Sequence, residues 1–210
     1  MSDIPPYIVL SPVGDHKAPY VNEFISASRA LVPPPDKIVL CLDLDTSIKI
    51  TDSNNVVVRY SPAIDVSRGD LERICMAREI LRNYFIYHPQ KYEYALWIDT
   101  DIMVPPNIME VLYKVSVDTQ ALVVVNRYQG RNEGYWSGSG VMLTHRISCE
   151  ASRFWVGKIY DENGEEKHLS EDLIFFALFD QGNPFIKMWT GRCGRVSDRY
   201  VDVDHRLKNH

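Results

Sequence analysis

Two apolar runs in this chain each end on a pair of aspartates separated by one residue. LWIDTDI carries Asp99 and Asp101 around Thr100, and KIVLCLDLDTS carries Asp43 and Asp45. Carboxylates are hard oxygen ligands, and one or two of them at a strand end suit a divalent cation that leaves its other positions to water or phosphate. Both pairs have this form, and they cannot both be the obvious metal site. A plainer reading of Asp99 and Asp101 is that they cap or turn the chain ahead of Pro105, Pro106 and Asn107, since aspartate is a favoured cap. A third acidic pair, Glu171 and Asp172 after Ser170, opens an apolar stretch, where a helix dipole alone favours acids. The stretch WSGSG sets Trp136 beside Gly138, Ser139 and Gly140. Glycine permits close backbone approach and an indole offers a flat face, although such a stretch also reads as a simple turn. The histidines include no pair at HxxxH spacing, which removes the commonest zinc-hydrolase arrangement.

These groups need strands and helices to hold them. YIVLS (7–11), KIVLCLD (37–43), NVVVRY (55–60), YALWID (94–99) and ALVVVN (121–126) are β-rich and close on polar or turn residues, as buried parallel strands do. Residues 20–31 and 68–87 carry apolar side chains at helical spacing, and Pro105 and Pro106 suit the first turn of a helix running to about Lys114. Strand and helix in alternation imply a mainly parallel sheet covered on both faces. Ligands of such sheets bind beyond the carboxyl ends of the strands, where Ser11, Asp43 and Asp99 all project. After residue 126 a polar, glycine-rich loop leads to a strand, VMLTH (141–145), followed by a short helix or turn. KIYDENGEEKH reads as a hairpin or loop turning at Asn163-Gly164, and a helix is expected from Ser170 to near Gly182. Residues 1–190 are expected to form one domain, and 191–210 a basic tail without strong periodicity.

Composition limits what such a domain serves. With 210 residues, 45% of them hydrophobic, the chain can bury a full core. A formal charge of −5 and a pI near 5.7 argue against a nucleic-acid partner, which calls for a concentrated basic face. The four cysteines are widely spaced with no CxxC pair, so neither a zinc ribbon nor a dense disulfide framework is indicated and a reducing cytoplasm fits. No stretch approaches the length of an apolar membrane span.

The order LWIDTDI, WSGSGVML, SEDLIFFAL resembles the GT-A-fold glycosyltransferases, especially family-2-like enzymes using nucleotide sugars. The resemblance covers roughly the whole chain and implies a Rossmann-like α/β fold with an aspartate-x-aspartate motif. It implies that Asp101 binds Mn2+ or Mg2+ bridging the donor diphosphate and that Asp99 supports the ribose or the metal shell, with Thr100 between them at the donor. Ser11 and Pro12 fall at the nucleotide rim, Asp43 where the base or ribose is contacted, and Arg78 where relatives carry a basic residue facing the nucleotide. A surface helix arginine is the plainer reading of Arg78. Asp172, with Glu171 beside it, is implied as the general base of an inverting transfer, a role a carboxylate fills when the proton moves late. Trp136, Gly138, Ser139 and Gly140 are implied as the acceptor floor. His205 in VDVDHR is the candidate for a further metal ligand. It lies in a tail with Arg192, Arg195, Arg199 and Arg206 that is expected to fold over the donor. The partners implied are a UDP- or GDP-sugar and an acceptor that is a glycan, a protein or a small molecule. Two other readings stand beside this one. VLCLDLDTS resembles the first motif of haloacid-dehalogenase-type phosphatases, with Asp43 as nucleophile, Asp45 as acid/base and Asp198 and Asp202 as metal ligands, but Thr46 stands where a glycine is expected. The other is a non-catalytic module that binds a nucleotide or carbohydrate.

Overall fold

Apolar runs with no polar face require burial on both sides, and β1 (Tyr7–Val13), β2 (Lys37–Asp43) and β4 (Tyr94–Ile98) obtain it at nearly every position. The computed structural model describes residues 4–44, 48–61, 70–125, 140–160, 163–169, 171, 175, 194–195 and 204–205. Side chains alternate across the sheet, so each strand feeds two cores. Tyr7, Val9, Leu40 and Leu96 pack on one face with Phe24 and Ile25 of α1 (Val21–Arg29) and Ile108 and Leu112 of α3 (Ile108–Thr119). Ile8, Leu10, Val39 and Trp97 pack on the other with Leu81 and Phe85 of α2 (Asp70–Tyr87), and with Cys149, Phe154 and Phe175. Each such side chain, fully buried, contributes about 1.5–3 kcal/mol of transfer free energy.

With β3 (Val56–Ser61), β6 (Val123–Val125), β7 (Val141–His145) and β10 (Gly194–Arg195), the sheet runs in the order β10, β6, β7, β4, β1, β2, β3. Neighbours are parallel except at β7, which is antiparallel to both β4 and β6. The architecture is therefore the expected α/β fold, a mainly parallel sheet flanked by helices, with one unexpected reversed strand. VMLTH is a strand over the residues its sequence indicates, and its reversed direction is what makes the sheet mixed. A short helix, α4 (Arg146–Ala151), follows it. The expected hairpin also forms, β8 (Gly157–Tyr160) against β9 (Glu166–Leu169), with Asn163 in the turn and Gly164 at φ +78°, a conformation glycine takes without penalty. Beyond β4, the two-residue β5 (Ile102–Met103) pairs antiparallel with β11 (Asp204–His205), His205 standing opposite Ile102.

Three boundaries depart from expectation. β1, expected over 7–11, continues through Pro12 to Val13; its pairing with β4 stops at Leu10, so proline's missing N–H falls where that ladder has ended. The helix expected over 20–31 forms as α1, ending at Arg29, and is preceded by a 3-10 helix (Asp15–Tyr20) for which no element is expected. α3 starts at Ile108 rather than at the prolines and runs on to Thr119, ending with Gln120 in the left-handed region at φ +57°.

Candidate functional site

β4 ends at Ile98, and the next three residues turn the chain sharply. Asp99 N–H donates to the Gly140 carbonyl at 2.8 Å, and Ile102 N–H donates back to the Asp99 carbonyl at 2.9 Å. Gly140, one of the expected acceptor-floor residues, is thereby tied to the aspartate turn. Thr100 locks the turn to β1. Its hydroxyl donates to the Pro12 carbonyl at 3.1 Å and lies 3.0 Å from Ser11 Oγ. A hydroxyl has one proton, so Ser11 is the donor in the second bond. Ser11, Thr100 and Asp101 are buried at 0%, 2% and 2% exposure, which fixes the rim rather than leaving it to solvent. The capping reading of Asp99 and Asp101 fails, because α3 begins seven residues past Asp101 with Asn107 at its cap position.

Both carboxylates face cations. Lys17, in the 3-10 helix after β1, lies with Nζ 2.7 Å from Asp101 Oδ1 and 3.5 Å from Asp99 Oδ2. Arg78, on α2, reaches Asp99 Oδ1 through Nη2 at 2.9 Å and Glu171 Oε1 through Nε at 3.2 Å. Its guanidinium also stands over the Phe154 ring, 5.9 Å from the centroid. Arg78 is 1% exposed, so the surface reading of this arginine is overturned: it is a buried brace between the strand end and the region of Ser170. Glu171 and Phe175 are both helical. Phe175 stacks on Phe154 with centroids 4.5 Å apart and accepts a hydrogen bond at its carbonyl from Ser152, so that helical stretch is anchored from two sides.

Asp43 is the second aspartate of the rim. Ser61 Oγ donates to its Oδ1 at 2.9 Å, and Arg73 Nη2 lies 2.7 Å from its Oδ2. Both oxygens are thus engaged. Arg73 also lies 3.6 Å from Asp15, which shares the 3-10 helix with Lys17. One short helix therefore touches both aspartate sites, Asp15 through Arg73 and Lys17 directly. The two motifs belong to one rim rather than to rival sites.

Sequence reasoning missed Lys17 and Arg73. The only signal for Lys17 is that GDHKAP directly follows the strand that carries Ser11. Trp136, Gly138, Ser139, Asp172, Asp45, Asp198, Asp202, Arg192, Arg199 and Arg206 lie outside the described residues, and for Arg195 and His205 only the backbone is described. Among the described residues no group of three or more His, Cys, Asp or Glu side chains is placed to hold a metal, and the convergent pair Asp99 and Asp101 is the candidate for one. The buried thiols do not compete for that role. Burial, with the charge of Asp43 adding, pushes Cys41 up to about 12, and burial followed by the charge of Glu171 pushes Cys75 up to about 12. Among the described residues no helix is long and apolar enough to cross a membrane.

No protein-family model matches the chain, and no curated protein matches its sequence. Solved structures do. The galactosyltransferase LgtC, in complex with donor and acceptor sugar analogs, superposes with a TM-score of 0.51 at 12% identity over 95% of this chain and 87% of that one. S. aureus TarS 1-349 superposes with a TM-score of 0.50 at 12% identity over 82% of this chain and 55% of that one, so the chain spans about half the length of that structure. At this identity the likeness is one of fold: this chain has the α/β fold seen in the galactosyltransferase LgtC.

Proposed function

We propose that the chain is a metal-dependent glycosyltransferase that moves a sugar from a UDP- or GDP-sugar to an acceptor hydroxyl with inversion. The observation that carries this reading is the convergence of Asp99 and Asp101 on one cationic point at the carboxyl end of β4, in a fold shared with LgtC. Two carboxylates with further positions open to phosphate oxygens are the donor set a hard Mg2+ or Mn2+ ion takes, so the residues fit the ion. Asp101 and Asp99 would hold it, and the register of His205 opposite Ile102 supports adding that residue. Bound there, the ion supplies positive charge to a departing diphosphate.

The remaining work falls to the chain. Ser11, Thr100 and the Pro12 carbonyl form one hydrogen-bonded unit that fixes the rim on which a nucleotide would rest. Asp43, held by Ser61 and Arg73, is the proposed contact to the base or ribose. Arg78 holds Glu171 to Asp99, which would set the start of the segment carrying Asp172 against the donor site. Asp172 is the proposed base for the acceptor hydroxyl, and the loop from Trp136 to Gly140 the proposed acceptor floor.

Calorimetric titration of UDP-, GDP- and dTDP-sugars with and without Mn2+, on the wild type and on Asp101→Asn, tests class, cofactor and donor together. One nucleotide sugar should bind only with the ion present, and the variant should lose that binding at least tenfold. Equal binding by the variant, or binding indifferent to Mn2+, sinks the metal-dependent reading.

A further inference from the structure

Lys17 sits where a divalent ion would sit. Its Nζ is within 2.7 Å of Asp101 and 3.5 Å of Asp99, and its side chain is only 11% exposed. An ion taking one oxygen from each aspartate at the usual 2.0–2.1 Å for Mg2+, or a little longer for Mn2+, would lie within a few ångströms of that ammonium. Two cations cannot share so small and dry a space, because their repulsion is poorly screened there. Ion pair and metal site therefore exclude one another. Of the two cations on Asp99, Lys17 is the one built to move. It is a compact charge on a flexible four-carbon stem, carried by a short 3-10 helix that also contains Pro19. Arg78 is fixed on an 18-residue helix and is engaged by Asp99 and Glu171 together.

We propose that Lys17 is a built-in counter-ion that keeps the Asp99 and Asp101 carboxylates closed to divalent cations until a nucleoside diphosphate arrives. The phosphate oxygens draw the ammonium away, the cation takes its place, and Lys17 becomes a positioning residue for the diphosphate. This rests on the nucleotide-sugar reading and adds a coupling to it. Cation and nucleotide each favour the other's binding by the same factor, as linkage requires.

Electron paramagnetic resonance titration of Mn2+ separates the two claims. It would be run on the wild type, Lys17→Met and Lys17→Arg, each alone, with UDP, with GDP and with inorganic pyrophosphate as a base-independent probe. Wild type and Lys17→Arg should bind free Mn2+ weakly, and a diphosphate should tighten that binding by about tenfold or more, within the usual range for coupled sites. Lys17→Met should bind free Mn2+ at least tenfold tighter, with a smaller further gain from diphosphate than in the wild type, because only direct coordination by phosphate oxygens remains, and adding Asp101→Asn to it should abolish the tightening. Lys17→Gln serves in its place if circular dichroism shows the methionine variant unfolded. Free Mn2+ bound no tighter by the folded variant, with diphosphate binding intact, overturns the counter-ion. If no diphosphate binds any variant while Lys17→Met still tightens Mn2+, the release step and the nucleotide reading fall together and the counter-ion stands.

Discussion

Replacing Arg78 by methionine removes the guanidinium between Asp99 and Glu171 while keeping most of the stem that packs in α2. Two carboxylates lose a partner, but not equally. Asp99 keeps Lys17 at 3.5 Å and has a side chain 15% exposed, whereas Glu171 is 6% exposed and takes most of the penalty. Breaking one buried ion pair by deleting a partner costs about 3–5 kcal/mol, because a desolvated charge is left without compensation. The expected loss is therefore in that range rather than double it. For a chain of this length each kcal/mol lowers the midpoint by about 2–4 °C, so the variant should melt about 6–20 °C below wild type. Scanning calorimetry and urea denaturation at pH 7 measure this directly. Arg78→Lys should lose less, since a single ammonium still serves one carboxylate at a time. Adding Glu171→Gln to Arg78→Met should recover part of the loss by removing the buried charge that the arginine no longer answers. A methionine variant melting within about 2 °C of wild type, under 1 kcal/mol for a chain this long, would refute the brace.

Asp172→Asn should leave nucleotide-sugar affinity within about twofold of wild type while lowering transfer at least a hundredfold, since a base acts on the acceptor and contributes about 10²–10⁴. Wild-type turnover would remove Asp172 from the mechanism. Burial raises Cys41 and Cys75 from 9.0 to about 12 and Cys149 to about 11, so between pH 9 and those values the unfolded chain releases protons that the native chain keeps. Stability should therefore hold below pH 9 and fall as the pH rises toward 12, read as a decline of the urea midpoint in a Cys193→Ser background. Rapid native-state labelling of those three thiols by iodoacetamide at pH 8 would contradict their burial.

The parts of the fold that the sequence makes legible are those where one local cause suffices. KIVLCLD and VMLTH become β2 and β7 over the residues expected, because each is an apolar run bounded by residues that end strands. Asn163-Gly164 announces a hairpin because glycine alone takes φ +78° freely. Direction is another matter. An apolar run reads the same parallel or antiparallel, so nothing in VMLTH marks its reversal between β4 and β6, which depends on neighbours supplied elsewhere in the chain. α3 outruns its expected end because Gln120 terminates it in a conformation usually signalled by glycine or asparagine.

The site divides along a similar line. Its anions stand out as motifs, since Asp99 and Asp101 are separated only by Thr100 at a strand end. Its cations do not, because Lys17, Arg73 and Arg78 come from two other helices and reach the rim on long stems. Physics nonetheless requires them. A carboxylate buried at 2% exposure, as Asp101 is, costs free energy unless a counter-charge or several donors stand beside it. Each acidic motif at a buried strand end therefore implies a lysine or arginine arriving from elsewhere, even though its position is unreadable. Here each arrival is shared between carboxylates. Arg73 answers Asp43 and Asp15, Lys17 answers Asp101 and Asp99, and Arg78 answers Asp99 and Glu171. Each is a full positive charge held at the carboxyl edge of the sheet, where a diphosphate would add negative charge. Under the proposed function Lys17 alone exchanges roles, from counter-ion of the closed rim to partner of the donor, while Arg73 and Arg78 keep the carboxylates they hold.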